Sequence, residues 1–254
     1  MIFSPRGMLS DYIQGNSKEN LKRFIQLTVG RFLLKATTFH ATSYSEYNEC
    51  RKLIPGWKGF IIPNILWLPP LTISKPANDR FTIIFLSRIH PKKGIEMLME
   101  AVSHLATPCV LKIGGTGDEI YIQKLKKYVA DLNITEKVQW LGWQNRDEKF
   151  LTLMQADLFA LTSYNENFGN VVVEALNAGT PVLISAETGV CDFVQEYDLG
   201  WICKPEMSSV LITLQQAITD REKRKHITSI APALANNCFS EKKLLPAYLH
   251  EYQL

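Results

Sequence analysis

A doubly wound α/β fold on a parallel sheet is predicted by three features of this 254-residue sequence. From Phe81 to Cys203, six short apolar runs alternate with segments of helical spacing, as in repeated β-α units. The first run, FTIIFLS (81–87), is apolar at nearly every position, as expected of a strand buried on both faces. Hydrophobic residues make up 46% and charged residues 21%, which is globular composition and excludes whole-chain disorder or coiled coil.

The elements follow in order. Residues 18–40 read as a helix with Leu21, Phe24, Ile25, Val29, Phe32 and Leu33 on one side. A short strand is expected at 39–43. Ser43 can then cap a helix running through Glu46 to Leu53, with Glu46 as its capping-box partner. Residues 59–70 carry prolines and read as a crossing segment, and SKPANDR (74–80) as a polar linker and domain boundary. Strands are predicted at 81–87, 109–115, 137–142, 157–163, 181–185 and 200–203. Between them helical spacing begins with Ile95, Leu98, Met99, Val102 and Leu105. It recurs at 121–132, 147–154, 169–178 and 190–196, and helices at 207–219 and 240–253 finish the chain.

Charge and cysteine content narrow the function classes. Lys and Arg number 28 against 25 Asp and Glu, a net charge of +3 that does not by itself call for nucleic acid. The five cysteines are scattered, without Cys-x-x-Cys, and no His pair has zinc-ligand spacing; reduced thiols in a cytoplasmic protein are expected. The apolar stretch 59–73 is broken by Pro63, Asn64, Pro69 and Pro70 and falls short of the ~20 residues that a membrane span requires. The N-terminus lacks an apolar signal core.

Ligands of such sheets bind beyond the carboxyl ends of the strands. After the first strand comes RIHPKKG (88–94), where Arg88 and Lys93 suit a diphosphate, one as a two-pronged grip and one as a point charge. A solvated basic loop is the alternative. After the second strand comes GGTGDE (114–119), neither a P-loop nor a dinucleotide fingerprint. Its glycines fit a plain turn as well as a phosphate or sugar contact. After the fourth strand, SYNENFGNVVVEALNAGTPVLIS (163–185) places Glu166 in a loop and Glu174 in the following helix, with Phe168, Gly169 and Asn170 at the helix start. The amides there form an anion site. The two carboxylates would lie roughly 12 Å apart if helical throughout, suited to flanking a long ligand and accepting from paired hydroxyls. Each Glu alone reads as a surface charge; together with the glycine and the basic loop, a functional role is the better reading.

These motifs resemble the GT-B glycosyltransferases of family 4, also called group 1. The family's Glu-x7-Glu is matched by Glu166 to Glu174, its Arg-x4-Lys-Gly by Arg88 to Gly94, and its Gly-x-Gly by Gly115-Thr116-Gly117. The resemblance covers about residues 77–254, and SPRGM (4–8) and IPN (62–64) also look like family segments. It implies a retaining transferase that moves a sugar from a UDP- or GDP-sugar to a saccharide or lipid-linked acceptor in cell-surface polysaccharide biosynthesis. Arg88, Lys93, Gly115, Glu166, Phe168, Gly169, Asn170, Val171 and Glu174 would bind the donor. Arg88 and Lys93 would take the diphosphate, Glu174 the ribose and Glu166 the sugar, with Glu166, Arg88 and Lys93 as the catalytic set. No Asp-x-Asp occurs, so no metal or other cofactor is expected. The implied division is 1–76 as the remnant of an acceptor-binding domain, 77–239 as the Rossmann-like donor domain and 240–254 as a crossover helix. With the rest of the first domain missing, Phe239, Leu244, Leu245, Tyr248, Leu249 and Tyr252 would be left bare or recruit a partner, either a complementing domain or a second copy. The place of work would be the cytoplasm, with peripheral contact at the inner membrane face. The competing readings are a donor-binding fragment inactive until that domain is supplied, and another GT-B enzyme such as a nucleotide-sugar epimerase. Trp143 reads as a core or surface aromatic before a base contact, Asp192 as equally a loop cap or a substrate contact, and the five histidines as non-catalytic.

Overall fold

The structure, a computed structural model, describes residues 1–10, 12, 30–70 and 79–253. Two parallel sheets organise them. The smaller is formed by β1 (Ile2–Phe3), β2 (Thr38–Ala41) and β3 (Gly59–Ile61) in that order, with helices α1 (Arg31–Lys35) and α2 (Tyr44–Leu53). Its own core is Phe39, Cys50, Ile54 and Trp57. The helix expected at 18–40 falls largely outside the described residues. Its visible end stops at Lys35, because Thr38–His40 pair as strand β2, and Phe32 and Leu33 are exposed rather than packed.

Ser43 caps α2 as expected, accepting from the Glu46 N–H at 3.2 Å. Glu46 does not close the capping box. Its buried carboxylate accepts instead from the backbone N–H of Gly7 (2.7 Å), and from the N–H (2.8 Å) and hydroxyl (3.0 Å) of Thr42. Three donors from two loops satisfy a buried charge better than a single cap amide would.

The larger sheet holds six parallel strands, β4 (Phe81–Leu86), β5 (Cys109–Gly114), β6 (Val138–Gly142), β7 (Leu158–Leu161), β8 (Val182–Ser185) and β9 (Gly200–Cys203), in the order β6-β5-β4-β7-β8-β9. Helices α3 (Ile95–Ser103), α4 (Glu119–Asp131), α5 (Arg146–Gln155), α6 (Asn170–Asn177) and α7 (Cys191–Glu196) connect them, and α8 (Met207–Thr219), α9 (Arg221–Phe239) and α10 (Glu241–Tyr252) follow. The predicted parallel α/β class is what the chain adopts. Ile83, Ile84 and Phe85 are wholly buried, which explains the unbroken apolar run. The chain builds β4-β5-β6 in one direction and then β7-β8-β9 in the other, so β4 and β7 border the topological switch point.

Helix α9 went unpredicted. Pro232 lies inside it, and its buried stripe is Ile227, Ala231, Ala235 and Phe239, mostly too small to register as an apolar face. The small side chains let it pack along α6.

The C-terminal helix corrects a second expectation. Most of its apolar face is covered within the chain. Leu244 is buried, Tyr248 Oη donates to the Pro63 carbonyl at 3.0 Å, and Tyr252 Oη lies 2.8 Å from His40 Nδ1. His40 Nε2 donates to the Ile62 carbonyl at 2.7 Å, and both tyrosines stand edge-on to its ring. Leu245 and Leu249 stay partly exposed. The polar tips of the tyrosines find partners on residues 40–63, so the helix crosses back onto the small sheet.

His40 is therefore a buried structural histidine, and burial holds its imidazole below the ordinary value of 6.5. A folded-state value below the unfolded one means that this stability is intact above pH 6.5 and is lost as pH falls through the depressed folded value. The parent should lose Tm between pH 7 and pH 5, at about 2–4 °C per kcal/mol. His40→Gln, less stable at pH 7, should show a shallower fall over the same window. Parallel profiles for the two would remove His40 as the cause.

The cysteines are unpaired, and burial pushes the Cys50 and Cys203 thiols up to about 12. Among the described residues, no helix is long and apolar enough to cross a membrane.

Candidate active site

Two adjoining cavities open at the switch point. The first, about 280 Å³, is lined by Lys93, Glu166 and the start of α6, together with Arg6 and Asn64. The second, about 340 Å³, is lined by Arg88, Gly115, Trp143 and Lys149. Leu86, Ser87 and Val171 line both, so the two form one cleft across the ends of the strands.

Lys93 ends a 3-10 turn, Pro91–Lys93, which the His90 side chain caps by accepting from the Lys92 N–H at 3.1 Å. The turn leaves through Gly94 at φ 61°, where an added Cβ would sit 2.3 Å from the Thr162 carbonyl oxygen. Glycine is required there. The Thr162 hydroxyl donates to the Gly94 carbonyl at 2.8 Å, locking the basic loop to the end of β7. Lys93 donates to the Glu166 carboxylate. Burial holds neighbouring Lys92 below the ordinary lysine value, the charges of Lys93 and Arg88 adding to the effect and Glu166 opposing it.

The Glu166 loop is fixed by its own backbone. Glu166 N–H donates to the Glu187 carbonyl, and its carbonyl accepts from Gly189 N–H, both at 2.9 Å. Gly169, at φ 93°, turns the chain into α6, whose N-terminus no side chain among the described residues caps. With Phe168 to Val171 lining the cavity, that helix start faces an anion-sized space with its dipole's positive end.

Glu174 lies in α6 and lines neither cavity. One oxygen accepts from Lys149 Nζ at 2.6 Å; the other is buried without a partner among the described residues. The structure thus brings Arg88, Lys93, Gly115, Glu166, Phe168, Gly169, Asn170 and Val171 onto one cleft and leaves Glu174 at its edge, behind Lys149.

The Gly-x-Gly segment serves the chain itself. A Cβ on Gly115 would sit 1.9 Å from the Ser87 carbonyl oxygen, and one on Gly117 would sit 2.0 Å from that of Ile89. The close neighbour is the basic loop's own backbone. Trp143 is a surface aromatic on the cleft wall, 67% exposed. Asp192 faces another pocket with Phe193 and Tyr197, which meets the first cavity at Phe168.

Sequence reasoning missed Lys149, Arg6 and Asn64 as cleft residues. The last two lie in the SPRGM and IPN segments, whose meeting with α6 only the fold reveals. Asn64 Nδ2 donates to Asn170 Oδ1 at 2.9 Å, and Asn167 Nδ2 to the Thr42 hydroxyl at 2.9 Å, docking the small sheet onto the start of α6. Among the described residues, no group of three or more His, Cys, Asp or Glu is placed to hold a metal ion.

A parallel α/β chain with its cleft at the switch point is the architecture of GT-B glycosyltransferases, and solved structures agree. Sucrose-phosphate synthase from Thermosynechococcus elongatus superposes with a TM-score of 0.86 at 20% identity, over 99% of this chain and 67% of that one. Anabaena Alr3699/HepE in complex with UDP and glucose gives a TM-score of 0.82 at 19% identity, over 99% and 71%. At these identities the likeness concerns the fold alone. Residues 72–233 match the family described as glycosyl transferases group 1, and the chain belongs to that family. Relatives include the lipopolysaccharide core biosynthesis glycosyltransferase LpsE of Rhizobium meliloti (strain 1021), 28% identical over 179 residues, covering 70% of this chain and 51% of that one. The uncharacterized glycosyltransferase MJ1607 of Methanocaldococcus jannaschii is 29% identical over 161 residues, covering 61% and 40%. The chain thus spans about half or less of the length of these two relatives.

Proposed function

We propose that this chain is the donor-binding part of a retaining family 4 glycosyltransferase. It takes a UDP- or GDP-sugar and serves a saccharide or lipid-linked acceptor in cell-surface polysaccharide assembly, at the cytoplasmic face of the membrane. Residues 77–239 form the donor domain, 1–76 belong to the acceptor-binding domain, and 240–254 form the crossover. The observation that carries this reading is the single cleft with Arg88 in one lobe, Lys93 in the other and the uncapped start of α6 on the wall. Neighbours solved with UDP, and with UDP and glucose, support a nucleotide-sugar donor.

The chemistry follows from charge. As the glycosidic bond to the terminal phosphate breaks, negative charge grows on that phosphate. Arg88, Lys93 and the α6 amides stabilise it, the role a metal ion takes elsewhere. Lys93 must exchange part of its contact with Glu166 for the phosphate, which leaves the Glu166 carboxylate to accept from sugar hydroxyls and to offset positive charge at the anomeric carbon. Glu174 lies behind Lys149, so Lys149 must swing into the cleft before the unpartnered Glu174 oxygen can accept from the ribose. A front-face path with retention is what the family resemblance implies: the acceptor hydroxyl forms the new bond to the anomeric carbon on the face the phosphate leaves, and its proton passes to the departing phosphate.

A thermal-shift panel with UDP, GDP and their sugars tests the site. One nucleotide should raise the parent's Tm, and Glu174→Ala should weaken that ligand about tenfold, the worth of one or two hydrogen bonds to a charged group. Equal shifts in parent and variant refute the assignment, and an inverted anomeric linkage by NMR refutes retention. The second reading, a donor-binding module without turnover, rests on the chain's spanning about half of LpsE; binding without transfer or hydrolysis would select it.

A further inference from the structure

Arg6 brings to the cleft a cation that the strand-end motifs do not supply. It lines the first cavity beside Lys93 and Glu166, reaching it from the loop after β1. Its backbone has φ 52°, a left-handed conformation that costs a non-glycine residue about 1–2 kcal/mol. Gly7 follows at φ 80°. Such strain persists only where the surroundings over-determine it, and here they do. The buried Glu46 carboxylate holds the Gly7 N–H, the Pro5 carbonyl accepts from the Met8 N–H at 3.1 Å, and Gly7 lies against Asn167, whose Cβ would be 3.0 Å from a Cβ added to the glycine.

The side chain is aimed as firmly as the backbone. Its guanidinium donates to Asn64 Oδ1, and Asn64 in turn donates to Asn170, the first residue of α6. Of five guanidinium N–H donors, that bond occupies one and a contact with the Tyr248 hydroxyl engages another, which leaves donors over for a ligand. Side-chain charges lining this cavity are Arg6 and Lys93 against Glu166, one positive charge in excess. A planar fork held by Asn64 and still exposed matches phosphate oxygens better than it matches a neutral sugar.

We propose that Arg6 is a donor-binding residue that grips the terminal, sugar-bearing phosphate together with Lys93. This rests on the donor reading above, in which the nucleoside occupies the lobe with Trp143 and Lys149 and the sugar end occupies the lobe with Glu166. Arg6 then touches the terminal phosphate and not the inner one. It also ties the small sheet to the filled donor site, because the Arg6–Asn64–Asn170 chain joins residues from both sheets' segments.

Titration calorimetry on the full chain tests this, with UDP and GDP as probes and UMP and GMP as partners lacking the terminal phosphate. Arg6→Gln should weaken the bound diphosphate about tenfold and leave the matching monophosphate unchanged, with Arg6→Lys in between. A role limited to docking the small sheet would lower Tm and weaken both ligands alike, and that outcome overturns the proposal. So does diphosphate binding equal to the parent's in both variants. If the parent binds no diphosphate, the donor reading fails and takes this inference with it; if the parent binds and the variants match it, only the inference fails.

Discussion

Lys93→Ala is expected to weaken nucleoside diphosphate binding by about 10–100-fold, the range of a charge-assisted hydrogen bond. Two effects combine. The variant removes a cation whose side chain is only 13% exposed, where solvent screens its pull on phosphate weakly. It also leaves Glu166 without its partner, so a bare carboxylate faces the incoming phosphate in the same cavity. The second effect can be isolated. Adding Glu166→Gln to Lys93→Ala removes the repulsion and should recover part of the loss, a coupling that a double-mutant cycle reads directly. Lys93→Arg should bind better than Lys93→Ala, because charge is kept while shape changes. Calorimetry at low and physiological salt measures the parent, Lys93→Ala, Glu166→Gln, the double variant and Lys93→Arg. A dissociation constant for Lys93→Ala within twofold of the parent's would take Lys93 out of the donor site.

The sequence exposed the parts of this site that local chemistry writes down. A run such as FTIIFLS shows its double burial in its composition, and Gly94 and Gly169 sit where the backbone takes positive φ at the mouth of the sheet. Each motif follows a strand, so the strand pattern alone places Arg88, Lys93, Glu166 and the α6 start at one end of the sheet. What stayed hidden depends on separation along the chain. Asn64 meets Asn170 across 106 positions and Glu46 meets Gly7 across 39, and neither pairing leaves a local trace. Local rules even pointed the wrong way for Glu46, since its spacing from Ser43 satisfies a capping box and only the presence of two nearby loops redirects its carboxylate. Helix α9 was concealed differently, by a proline and an alanine stripe that carry a packing surface without apolar bulk. The coverage of α10 by His40 and Phe60 reflects the same limit: an amphipathic face is legible, but the surface it meets is not.

The largest effect on stability is expected at Gly115, and its neighbour Gly142 supplies the control. Gly115 follows β5 and Gly142 ends β6, and Gly115 N–H donates to the Gly142 carbonyl at 2.7 Å. Gly142, at φ 67°, has nothing within 4 Å of an added Cβ, so alanine there carries only the left-handed backbone cost, about 1 kcal/mol. Gly115 is at φ 132°, which a side chain rarely adopts, and its Cβ would lie 1.9 Å from the Ser87 carbonyl oxygen. The clash cannot relax by sliding the loops apart. Ile89 N–H donates to the Thr116 carbonyl at 2.8 Å and Ser87 N–H to that of Gly114 at 3.2 Å, so moving either segment breaks these bonds. Strain and lost hydrogen bonds together come to about 3–5 kcal/mol, or roughly 10 °C in Tm. Because Ser87 borders both lobes of the cleft, whatever fraction of Gly115→Ala folds should also bind the donor nucleotide more weakly than Gly142→Ala does. Thermal unfolding of the two variants side by side decides the matter. Equal losses would mean that the Gly-x-Gly turn is governed by backbone conformation alone and not by its contact with the basic loop.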